Sequence, residues 1–454
     1  MNTSFFGELL QTISDRGRAL LDRGRDRRGD TEARSESLVE RCEHLLSGRG
    51  EASGVARARD ILTSYAELTT GPRIAFFEAL ADRFGADSER MKAAFASWER
   101  EPGDKTAAAL HAASEPRRQE LFRRLNLAPG GTAALVHMRE QLMDVLPNRP
   151  ELQAVDDDFV HLFTSWFNRG FLVLRHIDWS TPANILEKII RYEAVHEIRD
   201  WDDLRRRIDP EDRRCYAFFH PALIDEPLIF VEVALTRDIP EAIAPILAQA
   251  RDTIEPEKAR TAAFYSISNC QRGLAGVSFG NFLIKQVVEE ICRELPKLSN
   301  LVTLSPAPTF AKWLKRERAA ETSAVLNDAD KALLANLDAP GWWNDAEKVE
   351  TLRDTMKRAA AYYYLRAKTP RGMPLDPVAR FHLGNGARLE RIDWLGDASD
   401  KGISQSYGLM VNYLYDLEDI EKNHEAFAEQ RTVVASSAVQ RLLRPSLELV
   451  PIAG

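Results

Sequence analysis

No stretch of the sequence approaches the ~20 consecutive apolar residues that a membrane-spanning helix requires, which excludes a helical membrane protein. Cysteine is scarce. Cys42, Cys215, Cys270 and Cys292 are the only four in 454 residues, and none forms a C-x-x-C pair. That usage excludes a disulfide scaffold and predicts packed thiols in a reducing compartment. The nine histidines form no H-x-H or H-E-x-x-H arrangement, so no metal site is expected. An excess of positive charge is missing as well. With 61 Lys and Arg against 69 Asp and Glu, the net charge is -8, which argues against a nucleic-acid partner. A local basic pocket for an anionic ligand is still permitted. The chain has no internal repeat and no long low-complexity segment.

What is present is ordinary globular material. Hydrophobic residues make up 44% and charged residues 29%, and 454 residues predict two to three domains. Residues 1–30 are arginine-rich and amphipathic, with Phe5, Phe6, Leu9, Leu10 and Ile13. Glu8, Asp15, Asp22 and Asp26 interrupt them, and transit peptides are poor in acids, so a surface helix of a bacterial-type cytoplasmic protein is expected. The last four residues, Pro451-Ile452-Ala453-Gly454, are not a peroxisomal address.

The two halves differ in period. Ala58, Ile61, Leu62, Tyr65 and Leu68 fall on one helical face, and Phe77, Leu80, Ala81 and Phe84 form another stripe. Pro72 suits the first turn of a new helix, which needs no amide donor there. These patterns predict an all-helical domain over 1–167, for packing or homo-oligomerisation. After Trp166 strand patterns take over at 213–220, 228–235, 261–268 and 301–304. With a helix from Phe282 to Leu295 and another near Phe310, they predict an α+β domain over 168–454. A charged helical insertion is expected at about 320–366, and a strand-rich part at about 376–416.

Between the third strand and its helix, residues 271–281 read Gln-Arg-Gly-Leu-Ala-Gly-Val-Ser-Phe-Gly-Asn. Unpaired amides at a helix start carry the positive end of its dipole, and glycines permit close approach, so the loop suits a pyrophosphate. Arg272 could add charge. Gly276-Val277-Ser278-Phe279-Gly280 also matches the nucleophile elbow of serine hydrolases. That elbow needs its serine directly after a buried strand, and Ser278 comes about nine residues too late.

Longer blocks carry a family signal. They include Phe219-His220-Pro221, Glu226-Pro227-Leu228, Phe264-Tyr265-Ser266-Ile267-Ser268 and Gly273 through Lys285. Leu304-Ser305-Pro306-Ala307-Pro308, Asp376 through Ala387 and Gly408 through Tyr415 complete the set. In this order they resemble malonyl-CoA decarboxylases, from about residue 160 to the end. The resemblance implies an N-terminal helical bundle followed by an acetyltransferase-like (GNAT) α/β catalytic domain. It implies malonyl-CoA and acetyl-CoA as ligands, with CoA on Ala275, Gly276, Val277, Ser278, Phe279, Gly280 and Asn281. It also implies a catalytic pair at Ser305 and His382, with Tyr415 against the malonyl group or His382. Relatives of this kind tend to carry an acid where Ser278 stands, so no role of that acid transfers here.

Loss of carbon dioxide from malonyl-CoA leaves a carbanion that the thioester carbonyl holds as an enolate. No metal or cofactor is therefore expected, CoA being part of the substrate. The protein must stabilise the enolate oxygen, with a backbone amide near Ile267–Asn269 as the expected donor, and return a proton to the α-carbon. Histidine suits that task because its unperturbed pKa lies near neutral. His382 is expected beside a glycine turn, donating the proton, with Ser305 orienting the carboxylate or relaying the proton. His196, His220 and His424 are read as structural. A CoA-dependent acyltransferase and a non-catalytic acyl-CoA sensor are the alternatives.

Overall fold

The computed structural model describes residues 37–48, 50–277 and 283–443. The amphipathic segment 1–30, Ser278, Phe279, Gly280 and Asn281 of the glycine loop, and the last four residues lie outside the described residues. The chain forms two compact units.

The first unit is helical: α1 (Leu38–Ser47), α2 (Glu51–Ala66), α3 (Thr70–Arg83), α4 (Ser88–Arg100), α5 (Asp104–Ser114), α6 (Arg117–Asn126), α7 (Gly131–Val145) and α8 (Gln153–Trp166). Local chemistry sets several starts. Ser37 and Glu40 form a capping box before α1, and Asp87 accepts two amides at the start of α4. The stripe Ala58, Ile61, Leu62 and Tyr65 is buried, as are Phe77, Leu80 and Phe84. Phe219–Pro227 and the loop from Gln271 belong to this unit. His220 clasps its own turn there. Its Nε2–H donates to the Trp166 carbonyl at 3.0 Å, and Nδ1 accepts from the Ala222 amide at 3.1 Å. That is the structural role expected of it.

The second unit is built on a mixed sheet. Its strands are β1 (Val173–Ile177), β2 (Arg213–Phe219), β3 (Pro227–Thr236), β4 (Thr261–Asn269), β5 (Asn300–Thr303), β6 (Ser305–Pro306), β7 (Arg388–Asp393) and β8 (Met410–Leu414). They lie in the order β1-β2-β3-β4-β5-β8-β6, with β7 on β8. The β4–β5 pair is parallel, whereas β3–β4, β5–β8 and β7–β8 are antiparallel. A helical region followed by a mixed-sheet domain is an α+β protein. The longer helices of this unit are α9 (Ala183–Tyr192), α10 (Trp201–Ile208), α11 (Leu283–Glu294), α12 (Phe310–Ala319), α13 (Asp328–Leu334), α14 (Ala346–Leu365), α15 (Pro377–Gly384), α16 (Asp400–Ser406) and α17 (Ile420–Gln430).

One expectation is corrected. The region 376–416 is not simply strand-rich, because α15 and α16 alternate with β7 and β8. The glycines at 384 and 386 read as a turn and hid a helix of only eight residues. Its start is nevertheless well specified: Pro377 sits in the first turn, and the Asp376 carboxylate accepts from the Ala379 amide at 2.9 Å.

Two irregularities shape the middle of the sheet. Opposite Glu232 and Val233 the register jumps from Ser266 to Phe264, so Tyr265 is the extra residue of a bulge in β4. Parallel pairing with β5 covers only Thr261 to Phe264, so β4 continues to Asn269 with that edge open. The Cys270 amide donates to the Leu228 carbonyl, which fixes even-numbered residues after the bulge toward β3. Alternation then turns the amides of Ile267 and Asn269 to the open edge. Among the described residues no helix is long and apolar enough to cross a membrane.

Candidate active site

Four side chains from separate stretches meet on one face of the sheet. Thr303 ends β5 and Ser305 opens β6, so their side chains fall on the same side of an extended chain. His382 lies in the last turn of α15, not in a loop, and Tyr415 follows β8. The Ser305 hydroxyl is 3.1 Å from His382 Nε2, and His382 Nδ1 is 2.8 Å from the Tyr415 hydroxyl. Ser305 Oγ also donates to Thr303 Oγ1 at 2.8 Å. All four are buried, with Ser305 the most exposed at 5%. The His382 ring lies on the face of Tyr413, with centroids 4.7 Å apart.

Burial governs the protonation states. It pushes the His382 ring down to about 3 by stripping water from the charged form, and it raises Tyr415. Burial thus favours the uncharged imidazole. An uncharged imidazole has one donor nitrogen and one acceptor nitrogen. One ring nitrogen therefore donates and the other accepts, Nε2 facing the Ser305 hydroxyl and Nδ1 the Tyr415 hydroxyl. Asp376, which caps the helix of His382, is pushed up to about 6 by burial and accepts from the Tyr363 hydroxyl at 3.3 Å.

The glycine loop is shown only in part. Gly273 serves packing rather than a ligand, since a Cβ there would lie 2.0 Å from the Val136 carbonyl oxygen. Arg139 secures this stretch by donating to the carbonyls of Gly273 and Ala275, both at 2.8 Å. Arg272 is ion-paired with Asp144 at 2.6 Å. Ala275, Gly276 and Val277 then form a turn, with Gly276 at φ 77° and, among the described residues, no atom within 4 Å of where a Cβ would stand. That is where a ligand could approach the backbone. β4 ends at Asn269, well before Ser278, so the strand-then-serine order of a nucleophile elbow is absent.

Thr303 was not singled out from the sequence. The signal was there in the alternation Thr303-x-Ser305, which puts two hydroxyls on one face, but serine and threonine at a strand end are common. His196 has a buried, unpartnered Nε2 and is pushed down to about 4 by burial, while His424 Nδ1–H donates to the Gly384 carbonyl at 2.7 Å.

Fold and site together define an α+β enzyme organised around a dry, uncharged chain of proton donors and acceptors. Comparison with known proteins is more specific. Residues 84–167 match the model of the malonyl-CoA decarboxylase N-terminal domain, and residues 170–451 that of the malonyl-CoA decarboxylase C-terminal domain. A mitochondrial malonyl-CoA decarboxylase of Anser anser anser is 38% identical over 417 residues, covering 84% of this chain and 82% of that protein. The crystal structure of malonyl-CoA decarboxylase from Rhodopseudomonas palustris is 59% identical with a TM-score of 0.86, over 89% of this chain and 98% of that one. The Agrobacterium vitis structure of the same description is 55% identical with a TM-score of 0.87, over 90% and 100%. The chain belongs to the malonyl-CoA decarboxylase family, and so to the carboxy-lyases.

Proposed function

We propose that the chain converts malonyl-CoA to acetyl-CoA and carbon dioxide, with Ser305, His382 and Tyr415 returning the proton. The observation that supports this most is the 3.1 Å contact between Ser305 and His382, side chains 77 residues apart in sequence. The bond between the carboxylate and the α-carbon breaks, and its electron pair moves into the thioester as an enolate. The reaction needs no bound metal or cofactor on this reading, because the thioester is its own electron sink.

The enolate oxygen meets a backbone amide of the open β4 edge at Ile267 or Asn269. One such positioned donor is worth about 3–4 kcal/mol. The α-carbon takes the Ser305 proton, Ser305 is replenished from His382 Nε2–H, and Nδ1 takes the proton of Tyr415; the transient Tyr415 phenolate then regains a proton from solvent, the one that each decarboxylation consumes. No imidazolium is required, since a thioester enolate is a much stronger base than a phenolate. Ala275, Gly276, Val277, Ser278, Phe279, Gly280 and Asn281 hold the CoA pyrophosphate through backbone amides.

The helical unit carries homo-oligomerisation. Helix α4 buries none of its residues, yet presents Met91, Phe95 and Trp98 at 37%, 48% and 37% exposure on one stripe. The four cysteines, three of them buried, form no disulfide among the described residues, which suits a reducing cytoplasm.

The test is incubation of the purified chain with malonyl-CoA and no amine acceptor. Acetyl-CoA and carbon dioxide in equal amounts are the expected products. Free CoA formed only when an amine is added would mean an acyltransferase, and binding without turnover would mean a sensor.

A further inference from the structure

We infer that Thr303 is a positioning residue that sets the proton pattern of the catalytic chain. The sheet is interrupted to place it. β5 pairs with β8 at Val302–Leu414, and β6 pairs with β8 at Ser305–Val411, in the same register. The intervening positions are closed by side chains instead of the backbone ladder. The Tyr413 amide donates to Thr303 Oγ1 at 3.1 Å, and the Asn412 side-chain amide donates to the Thr303 carbonyl at 2.8 Å. Thr303 and Asn412 are both fully buried.

A backbone amide is a donor of fixed direction, so it pins Thr303 Oγ1 and takes one of its two lone pairs. The other faces Ser305 at 2.8 Å. Ser305 has a single proton, and Thr303 holds it. The Ser305 oxygen can then only accept from His382, so the ring carries its proton on Nε2 and takes the Tyr415 hydroxyl at Nδ1. Without the Thr303 acceptor, Ser305 donates to Nε2 and the ring proton moves to Nδ1, which points the chain away from the substrate. This rests on the reading of Ser305 and His382 as the proton-transfer pair.

The experiment compares wild type with Thr303→Val, which keeps the shape and removes the acceptor, and Thr303→Ser, which restores it. Nitrogen NMR of histidine-labelled protein reads the tautomer, with the His382 signals identified by their loss in His382→Asn. The expected result is Nε2–H in wild type and Thr303→Ser, and Nδ1–H in Thr303→Val. With it goes a three- to tenfold fall in kcat for Thr303→Val, the weight of one hydrogen bond, at unchanged KM for malonyl-CoA. A wild-type ring protonated on Nδ1 overturns the inference even if Thr303→Val does not fold. So does a folded Thr303→Val with wild-type kcat and tautomer. Failure of the underlying reading looks different: Ser305→Ala and His382→Asn would both retain turnover, whatever the tautomer.

Discussion

The two faces of the central sheet bury polar groups in opposite ways. On the catalytic face, Thr303, Ser305, His382 and Tyr415 form a chain with no net charge. On the other face, Leu304, Tyr265, Ala234 and Met410 pack together, and Glu232, two residues before Ala234, points the same way. There Arg207 is 3.3 Å from Glu232 and 3.4 Å from Asp203, and it donates to the carbonyls of His196 and Glu197. Glu193 accepts from Ser266 at 2.7 Å and Ser268 at 3.2 Å. The charged cluster ties α10 and the 193–197 segment to the sheet. It is a lock, because Arg207 and Glu193 each hold several partners. The uncharged chain is different: its members are joined by hydrogen bonds along which a proton can pass, and the charge it leaves comes to rest at the far end, on Tyr415. One sheet thus separates rigidity from reactivity.

The comparison is broken most severely on the catalytic face. Replacing His382 by Asn keeps a planar polar group but removes the proton relay, and should lower kcat by roughly 10²–10⁴-fold. Circular dichroism and the affinity for CoA should stay near wild type. Wild-type turnover in this variant would remove His382 from the mechanism.

The lock should fail in stability instead. Arg207→Met leaves the buried Glu232 without its guanidinium partner, at a cost of about 3–5 kcal/mol. Urea denaturation should register the loss, while the fraction still folded keeps its kcat. If kcat per folded molecule falls as far as in His382→Asn, the two faces are not separable.

A smaller effect sharpens the catalytic side. Tyr415→Phe removes the donor at Nδ1, 2.8 Å away, and should lower kcat about tenfold, the upper range for one buried hydrogen bond. Steady-state kinetics with an unchanged KM would check it, and an unaffected kcat would place the end of the relay at His382.

How much of this was legible in the sequence varies by element. Strands β2, β3 and β4 were readable because they are long, apolar and bounded by turns, and the α2 and α3 stripes because their period is regular. β1 was not, since Val173-Leu174-Arg175-His176-Ile177 is mostly exposed and has no apolar run. Ser305 and His382 are individually ordinary, and only the family resemblance joined them. Thr303 escaped because its role depends on a gap in the β5–β8 ladder, a property of pairing that no local pattern encodes. The low pKa of His382 escaped for the same reason, as burial comes from the assembled fold. Gly273 looked like a ligand-binding glycine, but the neighbour it accommodates is Val136, in a helix far away in sequence.

The least perturbing test uses pH alone. On the charged face, burial, with the neighbouring Glu193 adding to it, pushes Glu232 up to about 8 against the pull of Arg207. A carboxyl raised in the folded state stabilises most when protonated, and that contribution is lost as pH rises from its unfolded value through about 8. Thermal midpoints should therefore tilt downward across this window in wild type and less so in Glu232→Gln. On the catalytic face His382, at about 3, does not titrate there, whereas Asp376, at about 6, does. Asp376→Asn keeps the helix cap without titrating. In that variant kcat/KM should be flat from about pH 5 to 8, because no member of the relay changes charge. An acid limb near 6 confined to wild type belongs to Asp376. A limb near 6.5 that survives Asp376→Asn would mean that an imidazolium is the working acid, and the catalytic face would then be no more charge-free than the lock behind it.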